Sequence, residues 1–501
     1  MSTRAAGPAA TDDDRTRWRA FAICLGAGFM TLLDVSIVNV ALPPIEASLD
    51  AGPSELQWIV AGYTLAFGLA LIPAGRLGDL MGRREVFVVG LTAFVVASAA
   101  CGFATSAEML AITRLLQGIA AGLLNPQVIG LIQQLFRGAE RGRAFGLYGA
   151  TIGVSTATGP LLGGVLIGLF GEAEGWRAVF LVNVPIGAVL VPLALRHLPR
   201  AHPRPTLDLL RRLDVDLVGL ALVAATTLCL MLPFIIGAED PDRGPWWLIA
   251  AGAALLALFA WWERRTERAG RSTVVTAALL RTRSFTFGTA LGTAYFAGFT
   301  GIFLVGTLYL QTGLGLTPLE AGLVQTPFAL LGAVSSARSG ALVARFGRWI
   351  VVAGILVMAL GIIGVDITVG RFEGTAAAWG MAGWLALAGL GNGVVISPNQ
   401  TLTLADVDVA RGGTAGAVLQ TTQRIGASLG VAVISAVFFA DLAAGAGPDA
   451  LADGYGPALS VALRVTLALL GLSLVVGIVD ALRRRGQEGR SPATPGGPPP
   501  A

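Results

Sequence analysis

Long apolar runs broken by short, arginine-bearing polar stretches dominate this 501-residue chain. A helix that crosses the hydrocarbon core of a bilayer needs about 20 mainly apolar residues. Fourteen runs qualify: 18–42, 55–75, 85–104, 107–134, 144–170, 177–196, 214–236, 246–262, 285–311, 319–343, 349–369, 376–403, 413–440 and 457–481. They are too long, and too rich in Gly and Pro, for the alternating strands of an outer-membrane barrel. The pattern predicts an all-α polytopic membrane protein with 14 transmembrane helices. The first run, at about 25 residues, exceeds the 7–15-residue core of a cleavable signal peptide and is expected to remain as a helix.

Composition narrows the function classes. Hydrophobic residues make up 54% of the chain and charged residues 13%, against about 25% charge in a soluble globule; mean hydropathy is +0.72. Too little polar surface remains for a soluble enzyme or a nucleic-acid-binding protein, despite a formal charge of +4. The 67 glycines suit close helix packing in lipid. All 35 basic residues are arginine. Without lysine the chain has neither the phosphate loop of an ATP-driven motor nor Schiff-base chemistry. Cys24, Cys101 and Cys229 each lie inside an apolar run and read as small hydrophobes. His197 and His202 share one Arg/Pro-rich connector without metal-ligand spacing. No metal, cofactor or enzymatic activity is expected.

Arginine placement gives an orientation. With residue 1 inside, 28 arginines fall in inside segments, against Arg177, Arg243 and Arg371 outside; Arg114, Arg338, Arg424 and Arg464 fall within runs. This bias follows the positive-inside rule and predicts both termini in the cytoplasm. Residues 1–17 and 483–501 read as disordered cytoplasmic tails. Residues 18–196 form a first six-helix bundle, 197–284 a connector with two inserted helices, and 285–482 a second six-helix bundle. The arginine-only, Ala/Gly-rich composition points to the inner membrane of a bacterium.

The segment from Gly75 to Arg83 follows the second run, and that from Gly340 to Arg348 follows the tenth. Both read G-x-L-x-x-x-x-G-R, offset by 265 residues, and each occupies an inside loop after the second helix of a six-helix group. Paired halves around a central site characterise secondary transporters. Here the chain resembles the major facilitator superfamily, in particular its fourteen-helix drug:proton antiporter branch. The first-helix segment Leu33 to Pro43, the loop Gly75 to Arg84, Arg114-Leu115-Leu116-Gln117-Gly118, Gly159-Pro160-Leu161-Leu162-Gly163-Gly164, and Gly175-Trp176-Arg177 through Asn183-Val184-Pro185-Ile186-Gly187 carry the match, in order. The resemblance implies a major facilitator fold of two six-helix bundles plus two inserted helices. It also implies export of cationic drugs, dyes or antibiotics against proton entry.

Asp34 is the leading candidate for proton coupling, because a carboxylate within an apolar span is costly and by default marks an ion or proton site. Arg114 is its expected partner: at about 1.5 Å per residue the two lie roughly 13 and 10 Å from the outer helix ends. Either protonation of Asp34 releases Arg114, or the pair is permanent and structural. Asn39 and Gln117 are candidates to extend this cluster toward a cavity, and Gln117, one turn from Arg114, to orient it, with helix–helix packing as the other reading of each. In the second half Gln420, Gln423 and Arg424 lie deep in the thirteenth run, too deep for easy snorkelling. Arg424 either faces a cavity or bonds backbone carbonyls. Tyr295, Asn392 and Gln400 are further cavity candidates, along with the aromatic side chains of Tyr63, Tyr148, Phe299 and Phe303. Asp366, near the end of the eleventh run, reads as interfacial.

Gly75, Gly78, Asp79, Gly82, Arg83 and Arg84 make up a candidate cytoplasmic latch, the alternative being arginines placed only for topology. Asp79 is expected to pair with Arg83 or with a helix end from the other half; the second copy has Ala344 in its place. Small residues at Gly149, Gly153 and Ala157, followed by Gly159, Pro160, Gly163 and Gly164, predict either a moving seam between the halves or static close packing. The reading is therefore a proton-coupled exporter of amphipathic drugs or antibiotics, working by alternating access, expected as a monomer. Its partners are a small-molecule substrate, protons and the lipid bilayer. Export of an endogenous metabolite or a self-made antibiotic is the alternative, and a polytopic membrane enzyme or receptor the remote one.

Overall fold

The computed structural model describes residues 12–171, 173–200, 216–236, 244–271, 273–445 and 451–488. Among them, 14 helices are long and apolar enough to cross a bilayer. In order they are α1 (Asp12–Leu49), α2 (Pro53–Met81), α3 (Arg83–Gly102), α4 (Ala107–Leu135), α5 (Gly138–Phe170) and α6 (Gly175–His197), then α7 (Leu217–Ile236) and α8 (Trp247–Arg268). The second set is α9 (Arg283–Gly313), α10 (Pro318–Phe346), α11 (Trp349–Val369), α12 (Gly374–Thr403), α13 (Gly412–Gly445) and α14 (Leu451–Glu488). Each expected apolar run falls on one helix. The expectations for residues 1–11, His202, Arg243 and residues 489–501 lie outside the described residues.

Helix ends depart from the apolar runs for identifiable reasons. The α1 helix begins at Asp12, inside the segment read as a tail. There Arg17 donates to the Leu135 carbonyl and to Glu140, each at 3.2 Å, which ties the first turns to α4 and α5. The same helix continues through Pro43 and Pro44 to Leu49. The α6 helix is interrupted at Val182, where Pro185 lacks the N–H that would close the preceding turn. At its far end α9 widens into a π-helical turn, Tyr309–Gly313.

The polarity is inside out relative to a soluble globule. Large apolar side chains such as Leu169 (74%) and Trp247 (70%) are exposed, while Asp34, Arg114, Gln117 and Asn183 are buried. In hydrocarbon no water satisfies polar groups, so they must satisfy one another inside the bundle. The α1–α6 helices pack together, as do α9–α14; α5 against α10 and α2 against α13 form the main joints between the two groups. The inserted α7 and α8 pair with each other, and α7 also lies against both α2 and α13.

Glycine makes the α5–α10 joint close. A Cβ at Gly142 would overlap the Gly340 carbonyl, one at Gly146 would stand 2.7 Å from the Ser336 carbonyl oxygen, and one at Gly153 2.9 Å from that of Ala329. Gly142 and Gly146 lie near the start of α5, at the end of the bundle that carries the arginine-rich loops, and Gly153 lies midway along the helix. Farther along α5, Gly159 and Gly163 turn to α1 instead, meeting Ser36 and Ile37. So the seam expected along the whole helix is two faces: one joins the halves, and the other anchors α5 within its own half. Gly164 has open space around it, and Pro160 is exposed.

Candidate functional site

Asp34 and Arg114 meet in the interior of the first half. Arg114 Nη1 donates to Asp34 Oδ2 at 2.5 Å, with the two side chains 1% and 0% exposed. Asp34 Oδ1 accepts from Gln117 Nε2 at 2.9 Å and from Asn183 Nδ2 at 3.0 Å. Both amides also donate to Ser98 Oγ at 3.0 Å, and Ser98 in turn donates to the Phe180 carbonyl. Arg114 Nε donates to the Ile59 carbonyl at 3.1 Å, and Nη1 donates to Gln117 Oε1 at 2.7 Å. Five helices, α1 to α4 and α6, thus share one network around this carboxylate. Protonating Asp34 would remove its charge and put a hydrogen where a donor now points, so the network cannot accept a proton without rearranging.

A cavity of ≈ 300 Å³ lies between the halves, lined from α1, α2, α4 and α5 on one side and α9, α10, α12 and α13 on the other. Its wall is aromatic on the α9–α10 side, where Phe299 and Phe303 pack on Phe328. Asn125, Asn392, Gln400, Gln420 and Gln423 supply amides, and Arg424 the one charged side chain among the lining residues. Apolar walls with a few polar groups are the usual make-up of a small-molecule site. The Arg424 guanidinium lies 4.3 Å from the centroid of the Phe67 ring. Phe67 stacks on Tyr63 at 6.2 Å, and the Tyr63 ring lies 4.2 Å from the Arg114 guanidinium. Two aromatic rings therefore bridge the cavity arginine and the buried pair.

At the arginine-rich end, Gly75 packs against α13: a Cβ there would stand 2.6 Å from the Gly413 carbonyl oxygen. This approach brings Asp79 to the first turn of α13, where it accepts from Gly413 N at 3.0 Å and from Thr414 N and Oγ1, both at 2.8 Å. Such a helix start favours a carboxylate. Arg83 pairs with Asp79 at 3.0 Å and donates to the carbonyls of Gly130 and of Val409, in the other half. Gly82 takes φ +106, which lets the chain turn from α2 into α3. Gly78 faces Gln127 of α4.

A sequence profile of the Major Facilitator Superfamily matches residues 24–431. The chain belongs to that superfamily. It is a secondary transporter of small molecules. The probable actinorhodin transporter of Streptomyces coelicolor is 40% identical over 432 residues, covering 84% of this chain and 72% of that one. The multidrug resistance protein Stp of Mycobacterium tuberculosis is 33% identical over 434 residues, covering 84% and 76%. Among solved structures, the human organic anion transporter MFSD10 superposes with a TM-score of 0.66 over 92% of this chain and 99% of that one, at 14% identity, a likeness of fold alone.

Within this superfamily fold several expected positions shift. Gln117 bonds Arg114 and Asp34, as expected of a residue one turn from Arg114, but it does not reach the cavity wall. Asn39 is exposed and reaches neither the network nor the cavity: five residues beyond Asp34, it is turned about 140° around the helix. Tyr295 and Tyr63 stand behind the wall. Tyr295 donates to Asn392 Oδ1 at 2.8 Å and so holds a lining residue in place. Arg84 donates to the Leu195 carbonyl of α6, in its own half, and bridges nothing across the joint. Asn392, Gln420, Gln423 and Arg424 do line the cavity.

Three partners escaped the sequence reading. Asn183 appeared there only as part of a motif, although a lone amide in an apolar run was its signal. Ser98 had none. Arg348, the repeat counterpart of Arg83, donates to Asp480 Oδ2 at 2.6 Å and to Asn399 Oδ1 at 2.5 Å. Asp480, near the end of the last apolar run, drew no reading from the sequence, yet it is 4% exposed.

Proposed function

We propose that this protein exports amphipathic drugs or antibiotics across the cytoplasmic membrane of a bacterium in exchange for protons. The arginine-rich end and both termini face the cytoplasm in this reading, as the positive-inside rule requires. The observation that carries it is the central cavity, built by both halves and shut at the arginine-rich end by Asp79 on α13 and glycine contacts between α5 and α10. With that end closed, this reading takes the molecule as outward-facing. A proton arriving from outside neutralises Asp34, loosens Arg114, and favours the inward-open arrangement, in which the Asp79 contacts are broken. Cargo enters the cavity from the inside, the proton leaves to the cytoplasm, and the return step carries the cargo out. Each chain holds a complete cavity and pair, so a monomer suffices.

Purified protein in proteoliposomes under an imposed pH gradient tests this reading with a panel of amphipathic compounds. At least one compound should move against its gradient and stop when the pH difference is collapsed. Movement of none, or movement indifferent to the pH difference, contradicts it. A second reading, in which the cargo is a compound the cell itself makes, is favoured by likeness to a probable actinorhodin transporter.

A further inference from the structure

The cavity is electrically one-sided. Its 24 lining residues include one guanidinium and no carboxylate. The carboxylates nearest in function are already held elsewhere: Asp34 by Arg114, Asp79 by Arg83, and Asp480 by Arg348. Among the described residues, no carboxylate lies within ion-pairing distance of Arg424, whose contact is the face of Phe67. A guanidinium stacked on a ring keeps its in-plane N–H groups available for a planar anion, which it can hold by two parallel hydrogen bonds. Placing a cation beside it would add like-charge repulsion in a site of low dielectric constant. The same cavity offers an apolar aromatic wall, in which Phe299 and Phe328 stack and Phe303 meets them edge-on, and Asn392 and Gln420 offer donors and acceptors.

We propose that the preferred cargo is a planar aromatic acid, bound with its carboxylate or ionised phenol on Arg424 and its ring system against the α9–α10 phenylalanines. This rests on the reading of the central cavity as the cargo site. It departs from the preference for cationic compounds that the resemblance implies. Arg424 is then the specificity-determining residue of the site.

The test is equilibrium binding in lipid nanodiscs of three anthraquinones that differ at one position: a 2-carboxylate, its 2-carboxamide, and a 2-(trimethylammonio)methyl analogue. The acid should bind about tenfold tighter than the amide, the gain expected of a charge-assisted hydrogen bond, with the cation weakest. Arg424→Gln should erase the advantage of the acid over the amide, with a thermal-denaturation midpoint near that of the parent showing that the variant is folded; Arg424→Lys should restore part of it. Equal binding of acid and amide, tightest binding of the cation, no binding of any of the three, or an acid preference that survives Arg424→Gln would each overturn the proposal. The transport reading fails on a different result, the absence of gradient-driven movement for compounds of every charge.

Discussion

The two halves treat their membrane-embedded arginines in opposite ways. Arg114 is sealed: its charge is matched by Asp34, its Nε and Nη1 groups donate to Ile59, Asp34 and Gln117, and it is 1% exposed. Arg424 stands at the cavity with an aromatic ring as its contact and no acid in the surrounding wall. The latch loops repeat the contrast. In the first copy Asp79 reaches across to the other half, whereas the second has Ala344 there, and its Arg348 pairs inside its own half with Asp480. The first half thus holds the groups able to exchange a proton and to fasten the two halves. The second presents the charge that a cargo would meet. In the proposed mechanism coupling and recognition sit in different halves, and the two arginines are linked through Tyr63 and Phe67.

The largest effect expected from this contrast is on stability. Arg114→Gln leaves Asp34 buried without its cation, a loss of about 3–5 kcal/mol. Thermal denaturation in detergent, read from tryptophan fluorescence, should show a large drop that the added change Asp34→Asn largely reverses. Arg424→Gln, removing a charge that no carboxylate matches, should leave the midpoint nearly unchanged. An equal drop for both arginines would erase the distinction between them.

A smaller effect should follow from Asp79→Asn, which strips charge from hydrogen bonds worth about 1.5–3 kcal/mol each. With spin labels at Arg137→Cys and Arg345→Cys, the distance distribution across the arginine-rich end should gain a longer component. Ala344→Asp, which only makes the second loop look like the first, should leave it in place. Identical distributions for Asp79→Asn and the parent would remove Asp79 as the fastening. Smallest is the link between the arginines: Phe67→Leu removes a cation–π contact worth about 0.5–2 kcal/mol. Cargo affinity should weaken a few-fold, and its dependence on external pH should flatten; a pH dependence unchanged in this variant would mean that the rings merely fill space.

Much of the fold was readable because length and hydropathy decide it: about 20 apolar residues have few other structures open to them in a bilayer. The pairing of Asp34 with Arg114 was readable for a related reason, since two unmatched charges at similar depth have strong cause to meet. What sequence could not supply was direction around a helix. Asn39 lies near Asp34 in the chain and faces away from it. Tyr295 and Phe299 are one turn apart, yet one stands behind the cavity wall and the other forms it. Gly149 and Gly159 look like one small-residue stripe but serve different neighbours, Ser336 and Ser36. The Arg348–Asp480 pair joins residues 132 positions apart, and a carboxylate at the end of an apolar run gives no sign of burial.

Counterflow and gradient-driven transport, compared in the same proteoliposomes for the parent and Asp34→Asn, test the central claim most directly. The variant, fixed in its neutral form, should still exchange labelled for unlabelled cargo at a rate near that of the parent. It should also lose accumulation driven by a pH difference. Accumulation that persists in Asp34→Asn, with the same dependence on the pH difference, would contradict the assignment of the proton to this carboxylate.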